Sequence, residues 1–156
     1  MLLSALRQHF QHIVVNLTGQ PDSEALRTFV SHCDTLLWYT DQNVIDCRRN
    51  LAVLNLWREK KGMRLDHAKL LVDRFLRSVA PDSDALGKSF GMEIIATLAY
   101  SPEVRLNAKN QGVTLFELAS REVLTQSLRT LGERLTKDSE SLAKPKSWFS
   151  RLRGVQ

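Results

Sequence analysis

The sequence predicts an α/β protein, a parallel sheet of about four strands with helices on both faces. Four short apolar runs, His12–Leu17, Thr35–Thr40, Lys69–Asp73 and Met92–Leu98, alternate with segments of helical periodicity. The runs are apolar nearly throughout rather than on alternate residues, as expected of strands covered on both faces. The intervening segments are long enough for the right-handed crossovers that join parallel neighbours.

Residues 2–10 are helix-compatible, and the β-branched run from His12 to Leu17 stops at Thr18-Gly19-Gln20-Pro21, a strand and a turn. Ser23 can cap a helix whose apolar face is Leu26, Phe29, Val30 and Cys33. The second run, TLLWYT, is followed by Asp41-Gln42-Asn43, a loop that can also start a helix. From Val44 to Lys61 the spacing of Val44, Cys47, Leu51 and Leu54 predicts a long helix, with Gly62 beyond its basic last turn. KLLVD is a buried strand, a capped helical turn runs from Ser83 to Phe90, and Met92–Leu98 is the fourth strand. Ser101-Pro102-Glu103 places a capping residue before a proline at the first helical position, predicting a helix to about Gln111. Thr114 and Glu117 fit a capping box, and Leu124, Leu128, Leu131 and Leu135 predict an amphipathic helix ending near Thr136. The chain therefore divides into an α/β domain over 1–136 and a linker with a basic tail over 137–156. In such sheets ligands sit outside the carboxyl ends of the strands, so Asn16–Gly19, Thr40–Gln42, Asp73–Arg77 and Tyr100–Pro102 are the loops of interest.

Composition removes several classes. A chain of 156 residues with 43% hydrophobic and 25% charged residues is an ordinary globular domain. Cys33 and Cys47 form no CxxC and no disulfide framework, which suits a reducing, cytoplasmic setting. No run is long enough to span a bilayer and no signal peptide is read, so any membrane contact is peripheral. Residues 137–156 hold five Lys/Arg against two Asp/Glu, leaving 17 against 15 in the rest. A near-neutral body disfavours a nucleic-acid partner. His9, His12, His32 and His67 lack metal-ligand spacing, no metal site is expected, and no GxSxG or other nucleophile motif is present. Trp38 and Tyr39 read as core or interface filler.

In order, HIVVNLTG, CDTLLWYTD, RRNLAVLNLWREKKG, LLVDRF and LGKSFGMEIIATLAYSPEVRLNAKNQGVTLFELA resemble the second half of a MinD/ParA-type ATPase domain. The likeness is greatest to the CpaE/TadZ proteins of Flp (Tad) pilus assembly and covers nearly the whole chain. Its most specific stretch runs from Tyr100 to Ala119, where SPEVRLNAKNQGVTLFELA resembles the family's pattern. The resemblance implies a Walker A loop and a Walker B carboxylate, and the sequence departs from both. No GKGG- or GxxxxGK-type loop occurs; Gly87-Lys88-Ser89 lies in a predicted helix, and Asn16 stands where the Walker B aspartate would be. Asp73 stands where relatives often place an asparagine that reads the adenine edge, and an ionised aspartate has no donor for that contact.

What remains of a nucleotide site would involve Asn16, Gly19, Asp73, Arg74, Ser101 and Pro102. The plainer readings rank ahead of it: Asn16 bonding nearby backbone, Asp73 pairing with Arg74 or Arg77. The resemblance thus implies a scaffold or positioning component of pilus assembly with no catalytic residues and no cofactor of its own, partnered by pilus-platform proteins. ATP and Mg²⁺ would enter only if an amino-terminal half exists. The alternatives are the carboxyl half of a working ATPase and a ParA-like partition protein. In the implied strand order the phosphate-loop strand lies between His12–Leu17 and Thr35–Thr40. Without it, either those two strands close together or a second chain fills the gap, so self-association is expected.

The tail adds a separate signal. Lys144, Lys146, Arg151 and Arg153 are interleaved with Trp148, Phe149, Leu152 and Val155 at one-faced helical spacing. That pattern suits anionic headgroups at the inner membrane or a pilus platform; the plainer reading is a solubilising end or a tail docked on its own core.

Overall fold

The fold is that of a computed structural model that describes residues 2–143. Its elements run α1 (Leu2–His9), α2 (Glu24–Ser31), β1 (Leu36–Asp41), α3 (Val44–Asn55), a π-helical turn (Leu56–Lys60), β2 (Ala68–Phe75), α4 (Ser83–Phe90), β3 (Ile94–Ala99), α5 (Pro102–Gln111), α6 (Leu115–Leu118) and α7 (Val123–Ala143). The three strands form one sheet in the order β1-β2-β3, parallel throughout.

Helices cover both faces, as the unbroken apolar strands require. On one face Leu70 and Val72 of β2 pack with Val30, Cys47, Leu54, Trp57, Leu86 and Phe90 from α2, α3, its π-turn and α4. Trp38 belongs to this layer and meets Trp57 edge-on, ring centroids 5.4 Å apart. On the other face Leu71, Ile95 and Leu98 pack under Leu124 and Leu131 of α7. Single residues along β2 thus switch layers, the period-two consequence of a strand buried on both sides.

Local chemistry sets the helix boundaries. The Ser23 hydroxyl accepts from the Leu26 N–H at 3.1 Å, and Asn43 and Asp82 cap α3 and α4 in the same way. Thr114 and Glu117 form the reciprocal capping box at α6. Backbone and hydroxyl bonds from Thr114 hold the Glu117 carboxyl below its ordinary value. Gly62, at φ +62°, lets the chain turn back after the π-turn, where Met63 N–H reaches Trp57 O at 2.9 Å.

Three sequence expectations need correction. The run His12–Leu17 is not a strand: Val14 is 92% exposed, and only Leu17 packs on the core beyond it. β-Branched residues favour extended backbone, but a strand needs a neighbour for its N–H and C=O groups, and no described segment pairs with this one. Among the described residues the sheet accordingly has three strands rather than four. The helix expected to end near Thr136 continues to Ala143, because Lys137 to Ala143 contains no breaker before Pro145. Ser101 occupies the cap position of α5 without capping it; its hydroxyl donates instead to Glu122. The tail residues Lys144, Lys146, Trp148, Phe149, Arg151, Leu152 and Arg153 lie outside the described residues.

Candidate functional site

All three strands end at the same edge, and their exits hold a polar cluster around a buried carboxylate. Register sets Tyr39 of β1 beside Leu71 and Asp41 beside Asp73 of β2. Tyr39 and Asp73 therefore rise from the same face of the sheet. Beyond Val72 the pairing with β3 is interrupted until Phe75 meets Ala99, and within that bulge Arg74 adopts φ +50°. A non-glycine residue in the left-handed region is strained, and bulges of this kind re-aim side chains next to functional sites.

Asp73 is the centre of the cluster. Its side chain is 4% exposed. Arg105, in the second turn of α5, grips both carboxylate oxygens, Nη1 donating to Oδ2 at 2.9 Å and Nη2 to Oδ1. The Tyr39 hydroxyl donates to Oδ2 at 2.7 Å. Burial pushes the Asp73 carboxyl up, but the bonds from Arg105, Tyr39 and the Arg74 N–H outweigh it and hold the group below its ordinary value. Burial, then the bond to the Asp73 carboxylate, drives the Tyr39 hydroxyl the other way, up to about 12. Arg105 Nε is buried without a partner, a donor the cluster leaves unused.

A second polar residue organises the loop after β2. Gln42, 8% exposed, accepts from the Leu76 N–H at 3.0 Å through Oε1, and its amide nitrogen reaches the carbonyls of Leu76, Val79 and Pro81. One buried amide thus closes the loop from 76 to 81 over the end of β1. Below it Thr40 is fully buried, within reach of Cys47 Sγ at 3.7 Å and of Asn50. Burial raises the Cys47 thiol. Both cysteines are free.

The structure gathers some of the sequence-derived site residues and separates others. Asp73, Arg74 and Ser101 stand at the strand exits, with Pro102 opening α5 beside them. Asn16 and Gly19 lie in the stretch that forms no strand. Asn16 Oδ1 accepts from the Thr18 N–H at 3.0 Å, the local backbone bond of the plainer reading, and Gly19 takes φ +77° in the turn. No described hydrogen bond or ion pair joins either residue to Asp73. The side-chain partners of Asp73 are Arg105 and Tyr39; of the two arginines expected, Arg74 reaches it through its backbone N–H alone and no bond to Arg77 is described, because the partner side chains arrive through register and from α5. Trp38 is core, as read; Tyr39 is instead part of the site. Gly87-Lys88-Ser89 lies inside α4, as expected from its lack of a loop.

Tyr39, Gln42 and Arg105 were missed by the sequence reading. A signal existed for Arg105: an aspartate inside an apolar strand needs a cation, and a residue early in the helix following the neighbouring strand is placed to supply it.

The donor set fits a nucleotide poorly. Both oxygens of Asp73 are taken, and the glycines with positive φ, Gly19, Gly62, Gly91 and Gly112, lie singly in separate turns instead of building a phosphate cradle. Among the described residues no group of three or more His, Cys, Asp or Glu could hold a metal ion.

A parallel sheet with helices on both faces and its polar cluster at the carboxyl ends of the strands is a Rossmann-like α/β fold, similar to that of MinD and ParA ATPases. The likeness is seen in three solved structures. A MinC:MinD cell division complex from Aquifex aeolicus matches with TM-score 0.60 and 18% identity over 74% of this chain and 48% of that one. A ParA family ATPase from Chlorobium tepidum matches at 0.56 and 18%, over 68% and 42%. The septum site-determining protein MinD with Mg-ADP from Pyrococcus horikoshii matches at 0.56 and 16%, over 83% and 56%. The chain spans about half the length of these proteins, and at such identities the likeness is one of fold. No protein-family model and no curated protein sequence matches.

Proposed function

We propose that the chain is a positioning or scaffold component of pilus assembly, similar to CpaE/TadZ, that does not turn over ATP unaided. The observation that carries this reading is the closed state of Asp73. At the mouth where a MinD/ParA-type sheet exposes groups to a ligand, this chain spends its buried carboxylate on Arg105 and Tyr39. The stretch from Ser101 to Ala119 that most resembles CpaE/TadZ folds as α5, a glycine turn and the capped α6. The tail supplies a peripheral contact with the inner membrane, where platform proteins would be met. Two measurements test the reading. Purified chain should show no Mg²⁺-dependent ATP hydrolysis above a no-protein control, and robust turnover overturns it. Deleting the gene should remove Flp-type pili as seen by electron microscopy, and normal piliation overturns the pilus assignment.

One observation favours a second reading, the carboxyl half of a working ATPase. Among the described residues β1 is an edge strand, paired on one side with β2 alone, and the β-branched run Ile13–Val15 lies outside the sheet. A strand supplied from an amino-terminal half would satisfy both. Mixing with such a half should then restore nucleotide binding; a soluble partner that restores none removes this reading.

A further inference from the structure

We propose that residues 76–81, between β2 and α4, form a strap that a single side chain, Gln42, latches shut, and that its release opens the hollow between α3 and α4 while the rest of the fold stays intact. The device belongs to the strand-exit face and does not depend on the pilus reading.

β1 and β3 pass to their following helices through two residues each, Gln42-Asn43 and Tyr100-Ser101, whereas the seven residues 76–82 separate β2 from α4. Both ends of that longer connection are fixed. Before it the Tyr100 N–H donates to the Phe75 carbonyl at 3.2 Å, and after it the Asp82 carboxylate accepts from the Ala85 N–H at 2.8 Å. The stretch between them has little hold of its own. Residues 76–80 are all exposed, and one described backbone bond is internal to the strap, Val79 N–H to the Leu76 carbonyl at 3.1 Å. Every other described hydrogen bond of residues 76–81 is to Gln42. A segment that buries so little surface opens at low free energy unless a group outside it holds it down.

Gln42 is that group. Its amide nitrogen donates to the carbonyls of Leu76, Val79 and Pro81, all within 3.2 Å, and its Oε1 accepts from the Leu76 N–H. Two N–H hydrogens are thus shared among three carbonyls. The reverse orientation of the amide would set its oxygen against all three, so the surroundings fix which way it faces. The latch is anchored on the far side by its neighbours in sequence: Asp41 ends β1, and the Asn43 side chain caps α3 by accepting from the Ile45 N–H at 2.8 Å. The strap in turn walls a hollow of about 420 Å³, which Ala80 and Pro81 share with Val44, Cys47, Leu51 and Phe90. Cys47 is 7% exposed there. Lifting Ala80 and Pro81 brings the Cys47 thiol into water, while β2, α3 and α4 keep their own caps and packing. Burial also holds that thiol above its ordinary value, so opening raises its access and its reactivity together.

Cys33→Ser leaves Cys47 as the one thiol of the full chain, and its alkylation by iodoacetamide is followed in urea kept below the unfolding transition. In this parent the rate should be nearly independent of urea, because lifting the strap exposes little surface. Adding Gln42→Ala should speed labelling by about tenfold, and Gln42→Glu, which sets an oxygen against the carbonyls, at least as much. Hydrogen exchange should show the same locality: the Leu76 and Val79 amides lose protection in both variants while those of Leu71 and Val72 in β2 keep theirs. If labelling of the parent climbs with urea as steeply as global unfolding does, Cys47 is reached only through the unfolded chain and the proposal is overturned. Variant rates equal to the parent's overturn it as well, as does an equal loss of protection in strap and β2, which would make Gln42 a residue of general stability. The urea dependence is read on the parent alone, so it decides even where a Gln42 variant fails to fold.

Discussion

The two ends of the sheet handle charge in opposite ways. At the carboxyl end Asp73 is taken out of water and its oxygens are matched by Arg105 and Tyr39. At the amino end Lys60 and Lys61 are exposed, and no described carboxylate pairs with them. Buried charge has to be satisfied at hydrogen-bond distance because the interior screens little. Exposed charge acts at longer range, contributes little to folding, and fades with salt. The carboxyl end is therefore where stability responds most to substitution, and the exposed charges of the amino end should matter little to it.

The sharpest way to break this contrast is to remove Arg105. Arg105→Met leaves a carboxylate 4% exposed without its cation and should cost about 2–4 kcal/mol, discounted because the arginine is itself one-third exposed. For a chain of this size that lowers the melting temperature by about 5–12 °C. Adding Asp73→Leu should recover most of the loss, since the orphaned charge, not the missing attraction, dominates. Urea denaturation of the two single variants and the double measures the coupling. A single-variant loss no larger than that of an exposed lysine would erase the difference between the two ends.

The same cluster sets how stability depends on pH. Asp73 is held below its ordinary value of 3.8, so its contribution is fully present above pH 3.8 and is lost as pH falls through its folded value. Tyr39 moves oppositely: raised from 10.0 to about 12, its contribution is full below pH 10 and is lost as pH climbs towards 12. Denaturant midpoints followed across both limbs should flatten at the acid end in Asp73→Asn and at the alkaline end in Tyr39→Phe. An unchanged alkaline limb in Tyr39→Phe would show that the hydroxyl is not bound to the carboxylate in solution.

Much of the fold could be read from local chemistry, and the exceptions share a cause. α4, α5 and α6 and the three paired strands are announced by caps, a helix-opening proline and continuous apolar runs, all of which act within a few residues. The run His12–Leu17 looks like those strands residue for residue, yet pairing is decided by what lies beside it, which local pattern does not contain. The site divides the same way. Asp73 stands out as a polar residue in an apolar run, whereas Tyr39 and Arg105 are separated from it by 34 and 32 positions and join it only through register and the bulge. Gln42 is ordinary as a loop residue and becomes informative only when four backbone partners converge on it.

The bulge itself offers a smaller test. Arg74 pays for its left-handed backbone without a described ion pair of its own, so Arg74→Gly should relieve the strain and raise stability by about 0.5–1 kcal/mol in urea. A loss would mean that the arginine side chain supports the exit cluster through its charge beside Tyr39.

The smallest expected effect belongs to the amino end. Lys60→Ala with Lys61→Ala should change the unfolding free energy by less than about 0.5 kcal/mol at any salt concentration, since both lysines are exposed and no described carboxylate pairs with either. Under the opposite hypothesis, in which these lysines neutralise the carbonyls ending the π-turn and so hold the turn in place, the loss would approach 1 kcal/mol and shrink with added salt. The Arg58 bonds to Phe90 and Gly91 argue for the first outcome, because they secure the turn from a side chain that the substitutions leave alone. Paired urea melts at low and high salt separate the two.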